Sequence, residues 1–122
     1  MSEPANVVLL YVPCGSEQEA ISIGRALLER RLIACANIYP SRSLYYWEGR
    51  IADEAEHVLI CKTDRSRAKA ARKQVLALHS YELPCVIQIE PTDVNPEYAK
   101  WVMGEVAAGT PRGQGGNQPA QD

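Results

Sequence analysis

The sequence predicts a single α+β sandwich in the order strand, helix, strand, strand, helix, strand, with a long β-hairpin in the middle and a short helix at the end. Three observations carry that prediction. Val7-Val8-Leu9-Leu10-Tyr11-Val12 is a nearly unbroken apolar run, too short for a typical helix and rich in strand formers. Two segments with helical spacing of apolar residues, 17–31 and 65–79, separate the extended ones. Between them, residues 33–63 read as a two-stranded ribbon turning at Glu48-Gly49, because glycine is free to take positive φ and the flanking aromatic and β-branched residues favour a pleated surface.

The elements follow in order. The first strand ends at Pro13-Cys14-Gly15. Ser16, with Glu19 three positions on, makes a capping box that opens the first helix at Glu17. Ala20, Ile23, Leu27 and Leu28 form its apolar stripe, and Glu17, Arg25, Glu29 and Arg30 stay wet. The ribbon starts at Ile33, where small residues Ala34, Cys35 and Ala36 let a helix pack closely. Pro40 cannot donate to a ladder, so a bulge or a sheet edge is expected there. The return arm is polar through Asp53-Glu54-Ala55-Glu56, expected to face solvent, and apolar through Val58-Leu59-Ile60-Cys61. Thr63 or Asp64 is positioned to cap the second helix. Its basic residues Arg65, Arg67, Lys69, Arg72 and Lys73 read as a solvated face, since few aromatics interleave with them. Residues 85–90 form the last full strand. Asn95-Pro96 then supplies a cap and a first-turn proline for a helix ending near Met103. This element order is the one that the ferredoxin-like split βαβ motif requires, with both main helices on one face of an antiparallel sheet.

Domain organisation is simple: residues 1–5 as an N-terminal tail, 6–103 as one folded domain, and 104–122 as a flexible tail, because residues beyond 109 hold almost no large apolar side chain. A length of 122 residues with 46% hydrophobic composition is ample for one core. Thirteen basic against fifteen acidic residues give a formal charge of −2, which provides no overall attraction to nucleic acid or an anionic membrane. No signal-peptide pattern or membrane-spanning run is present, so the expected location is cytoplasmic. Cys14, Cys35, Cys61 and Cys85 lack paired zinc or redox spacing and are expected as free thiols.

If both arms of the ribbon remain extended, each runs to roughly 45–50 Å at about 3.3 Å per residue. A compact domain of this length has a radius of gyration of about 13 Å, so the tip should project beyond the body. The tip carries Tyr45, Tyr46 and Trp47, in a chain with no phenylalanine. Exposed aromatics there are expected to be an association surface covered by partner copies.

Leu44-Tyr45-Tyr46-Trp47-Glu48-Gly49-Arg50-Ile51, preceded by Leu32-Ile33-Ala34-Cys35-Ala36-Asn37-Ile38, resembles the signature of the CutA divalent-ion tolerance family. The match continues through Lys62-Thr63, through His79-Ser80-Tyr81 followed by Pro84, and through Tyr98 and Trp101, covering about residues 7 to 103. The resemblance implies a ferredoxin-like βαββαβ subunit in a PII-like homotrimer. It also implies a non-enzymatic role in tolerance of copper or other divalent ions. His79 falls where the family carries a metal-ligand histidine, so copper(II) or another divalent cation is the implied ligand, with none required for folding. Tyr11 and Leu78 stand where some relatives carry a cysteine and a second histidine ligand. Lys62, Tyr81 and Trp101 fall near the implied subunit boundary, where a cation and two amphipathic rings can line a small-ligand cleft. The alternative function is therefore a small-ligand sensing or scaffold trimer with incidental metal affinity. An enzyme is the least favoured class. Cys14 beside a helix start is a candidate thiol of lowered pKa, but no base is apparent near it and no catalytic residue is expected.

Overall fold

The computed structural model describes residues 6–108; both expected tails, apart from residues 104–108, lie outside the described residues. The elements are β1 (Val7–Cys14), α1 (Glu17–Glu29), β2 (Cys35–Trp47), β3 (Arg50–Asp64), α2 (Arg65–Leu78), β4 (Ile87–Ile89) and α3 (Pro96–Ala107). They build one four-stranded sheet in the order β2-β3-β1-β4, with every neighbouring pair antiparallel.

The alternation of side chains along β1 divides the molecule into layers. Leu10, Val12 and Cys14 point into the main core with Ala20, Ile23 and Leu27 of α1, Ala71 and Val75 of α2, and Leu59 and Cys61 of β3. α1 lies close to the sheet at Gly24: a Cβ there would stand 3.4 Å from both the Ala36 Cβ and a Leu59 methyl, room for a methyl but for nothing larger. Val7, of opposite parity, packs against Ala99 and Val102 of α3, which covers one end of the other face. Much of the rest of that face is uncovered, with Tyr39, Ile87 and Ile89 exposed.

The ribbon runs on past the rest of the sheet, since β1 pairs with β3 only from His57 to Asp64. β2 and β3 pair one to one from Cys35↔Lys62 to Trp47↔Arg50. Pro40 therefore introduces no bulge; it is tolerated because β2 is an edge strand. Glu48 (φ 50°) and Gly49 (φ 79°) form the two-residue turn, so Glu48 as well as the glycine takes the left-handed conformation that a type I′ hairpin requires.

Four local differences from the sequence expectation have physical causes. First, α1 stops at Glu29 because Arg31 adopts φ 56°, and the amides of Arg31 and Leu32 close a Schellman motif on the carbonyls of Leu28 and Leu27. The Arg31 guanidinium then bonds the Glu105 carbonyl and carboxylate, both at 3.0 Å. Second, that anchor and the buried Val106 carry α3 past Met103 to Ala107. Third, Asp64 occupies the α2 N-cap without capping it through its side chain, which accepts from Ser66 instead, while Thr63 donates to the Leu32 carbonyl at 2.7 Å. Fourth, β4 is only three residues long, because pairing with β1 spans just Leu9↔Ile89 to Tyr11↔Ile87.

Candidate functional site

The site grows from the junction of β1 with α1. Ser16 accepts the Glu19 amide at 3.0 Å, the first half of the expected capping box. The Glu19 carboxylate, however, reaches past Ser16. One oxygen accepts the Gly15 amide at 3.1 Å and the other the Ser80 amide at 2.7 Å, tying the start of α1 to the connection that follows α2. Burial works to raise the Glu19 pKa, but these amide bonds outweigh it and hold the carboxyl below its usual range.

His79 ends α2, and its side chain is fully buried. Nδ1 accepts the Tyr81 amide at 3.1 Å, which leaves the proton on Nε2 to be donated to the Pro13 carbonyl at 2.8 Å. Both ring nitrogens are thus used in fixing residues 79–81, and the Glu19 carboxylate stands 3.7 Å from Nδ1. The Tyr81 ring packs edge-on to the imidazole with centroids 4.7 Å apart. Its hydroxyl crosses to the ribbon and donates to Glu56 at 2.6 Å, while Ser43 donates to the other Glu56 oxygen at 2.5 Å. Burial foremost, and then this carboxylate, push the Tyr81 phenol well above its ordinary value, so it remains a donor.

A cleft of about 760 Å³ opens between the ribbon and this connection, lined by Ser43, Tyr45, Trp47, Glu54, Glu56 and Tyr81 among others. Cross-strand pairing explains the lining. Ser43 faces Glu54 and Ser41 faces Glu56, so Ser43, Tyr45 and Trp47 share a ribbon face with both carboxylates. Tyr45 donates to Glu54 at 3.1 Å. Leu44, Tyr46 and Ile51 occupy the opposite ribbon face and are 67%, 75% and 66% exposed.

The site residues picked out from sequence fall into two groups. His79 and Tyr81 are together, and Tyr81 joins Tyr45 and Trp47 along the cleft, while the Tyr46 side chain stands on the opposite ribbon face. Lys62 and Trp101 lie elsewhere, linked through Tyr98: the Lys62 ammonium stands 5.6 Å above the Tyr98 ring, whose centroid is 5.6 Å from that of Trp101. Lys62 lies six positions along β3 from Glu56, about 20 Å of strand, so one chain does not bring Lys62 and Trp101 to Tyr81. His57 is half-buried opposite Cys14 and Pro40. Among the described residues no three His, Cys, Asp or Glu side chains converge as a metal cluster.

Cys14 differs from its candidate role. It is fully buried, donates weakly to the Val12 carbonyl, and is pushed up to about 12 by burial and by the Glu19 and Glu56 charges. A thiol so protonated is not an activated nucleophile. Glu56 is the residue that sequence reasoning missed. It is only 5% exposed, although it lies in the acidic stretch expected to face solvent. Its parity with Val58 and Ile60 was the available signal.

Fold and site together define a small ferredoxin-like α+β protein with a projecting aromatic ribbon and a histidine-anchored connection beside it. The chain belongs to the CutA1 divalent ion tolerance protein family, whose model matches residues 8–105. It is 39% identical over 99 residues to a CutA homolog of Danio rerio, covering 80% of this chain and 66% of that one. It is 37% identical over 100 residues to the divalent-cation tolerance protein CutA of Thermotoga maritima, covering 82% and 99%. A solved structure described as the periplasmic divalent cation tolerance protein CutA of Archaeoglobus fulgidus superposes with a TM-score of 0.80 at 35% identity, covering 82% of this chain and 98% of that one.

Proposed function

We propose that this protein serves divalent-cation tolerance as a non-enzymatic, cytoplasmic homotrimer. Family membership supports the tolerance role, and the exposed aromatic ribbon supports the assembly. Tyr45, Tyr46 and Trp47 form the trimer contact, with Tyr46 leading because it shares the bare ribbon face with Leu44 and Ile51. Four free cysteines fit a reducing compartment. Among the described residues no helix is long and apolar enough to cross a membrane. Neither nucleic acid nor membrane is a partner of a chain with this charge balance.

The cation, copper(II) by its preference for imidazole with oxygen partners, meets the chain at His79 with Glu19 as neighbour. Occupying Nδ1 means giving up the Tyr81 amide bond, so binding there is modest and folding does not depend on it. Titrating copper(II) into wild type and His79→Ala tests this reading. Affinity should fall about tenfold in the variant, the effect of about 1.4 kcal/mol. Equal affinities remove His79 as the ligand.

A second reading is favoured by the full engagement of His79 and by the size of the neighbouring cleft. In it the trimer senses a small ligand and metal affinity is incidental. Lys62 and Trp101 of one copy then approach Tyr81 of another across the subunit boundary, completing an intersubunit cleft.

A further inference from the structure

We propose that the cleft between the ribbon and the connection after α2 binds a small organic cation, a protonated amine, with Glu56 as its counter-charge. The proposal deepens the small-ligand reading and rests on it. A carboxylate 5% exposed is costly to keep ionised without a cation beside it. Glu56 receives two hydroxyl donors, Ser43 and Tyr81, neither of which carries a charge to balance a carboxylate. Among the described residues no cationic side chain forms an ion pair with it. Arg42 also lines the cleft, but its guanidinium is committed to Asp53 in a two-pronged pair at 2.8 and 2.9 Å. Glu54 and Glu82 add two further acidic groups to the lining.

The walls select the kind of cation. Tyr45, Trp47 and Tyr81 line the same space as Glu56, and aromatic faces attract ammonium groups that have shed their water. A divalent metal instead needs several converging oxygen or nitrogen ligands, and among the described residues no three His, Cys, Asp or Glu side chains converge as a metal cluster. The volume of about 760 Å³ lies within the range of small-molecule sites and far exceeds what a single ion occupies. Two hydroxyls already take one lone pair on each Glu56 oxygen, so an N–H donor has the remaining ones to meet.

The test uses the full chain in its native assembly state, followed by calorimetry and Trp47 fluorescence. Phenethylammonium is the cationic probe, phenethyl alcohol its neutral counterpart, and magnesium chloride the inorganic control. The amine should bind about tenfold or more tightly than the alcohol, and magnesium should not compete with it. Glu56→Gln should weaken the amine by about tenfold or more, while Glu54→Gln, at the more exposed position, should weaken it by a smaller factor. The wild-type comparison of amine with alcohol requires no variant to fold. Equal binding of the two overturns the cation proposal while leaving the small-ligand reading standing. Binding of neither, with Tyr81 and Trp47 protected from hydroxyl-radical labelling only in the assembly, overturns both and assigns the cleft to a neighbouring copy.

Discussion

Removing the Glu19 carboxylate tests whether one side chain holds the β1–α1 junction to the connection that carries His79 and Tyr81. Glu19→Ala leaves the Gly15 and Ser80 amides without their acceptors, bonds of 3.1 and 2.7 Å to a group whose side chain is 16% exposed. A hydrogen bond to a charged group contributes about 1.5–3 kcal/mol, and water can reach both amides. The lower end therefore applies to each of the two bonds, and the variant should lose about 3 kcal/mol in all. Urea unfolding at matched protein concentration measures the loss, since stability of an assembling protein depends on concentration. The pH dependence gives a second handle. The folded pKa of Glu19 is depressed below its ordinary 4.5, so its stabilisation is complete above that value and is lost as pH falls through the folded pKa. The gap between wild type and Glu19→Ala should be full at neutral pH and shrink on acidification. Equal midpoints at neutral pH, or a gap that persists in acid, refute the clamp.

Other sites give independent checks. Gly24→Ala should stabilise the protein by up to about 1 kcal/mol through helix propensity, because its Cβ meets Ala36 and Leu59 at ordinary contact distance. Gly24→Leu should instead cost about 1–3 kcal/mol by overpacking, and the same unfolding curves compare the two. Alkylation of the native protein at mildly alkaline pH, read by mass spectrometry, should modify the half-buried Cys35 and Cys85 long before Cys14, whose buried thiol is pushed up to about 12. Early labelling of Cys14 contradicts its assignment as a core thiol. Leu10→Ala should lose about 2–5 kcal/mol, since Leu10 is fully buried at the centre of the sheet.

Much of the fold was legible because each element carries its own periodicity. The apolar run of β1, the stripes of α1 and α2, and the Glu48-Gly49 turn are local signals, and each element formed where its signal lay. The ends were less legible. Arg31 takes a left-handed conformation more often left to glycine, and α3 gains its last turn from Arg31, 74 residues away. No local pattern encodes such a contact. The candidate site was legible only in its anchors. His79 and Tyr81 stood out by residue type and by resemblance, yet the imidazole spends both nitrogens on backbone groups, one of them the Pro13 carbonyl, 66 residues away. Glu56 hid within an acidic stretch because its burial depends on Tyr81 arriving from the far side of α2. Lys62 and Trp101 were grouped with Tyr81 across an expected boundary, and in one chain they meet Tyr98 instead.

Sedimentation equilibrium of the full chain, run beside a Tyr46→Lys/Ile51→Lys double variant, bears most directly on the claim that a projecting ribbon drives assembly. The wild type should sediment at three times the mass of the 13.5 kDa chain, and the variant should shift toward the single chain while keeping its helical circular dichroism. A folded wild type that sediments as one 13.5 kDa chain at micromolar concentration contradicts it.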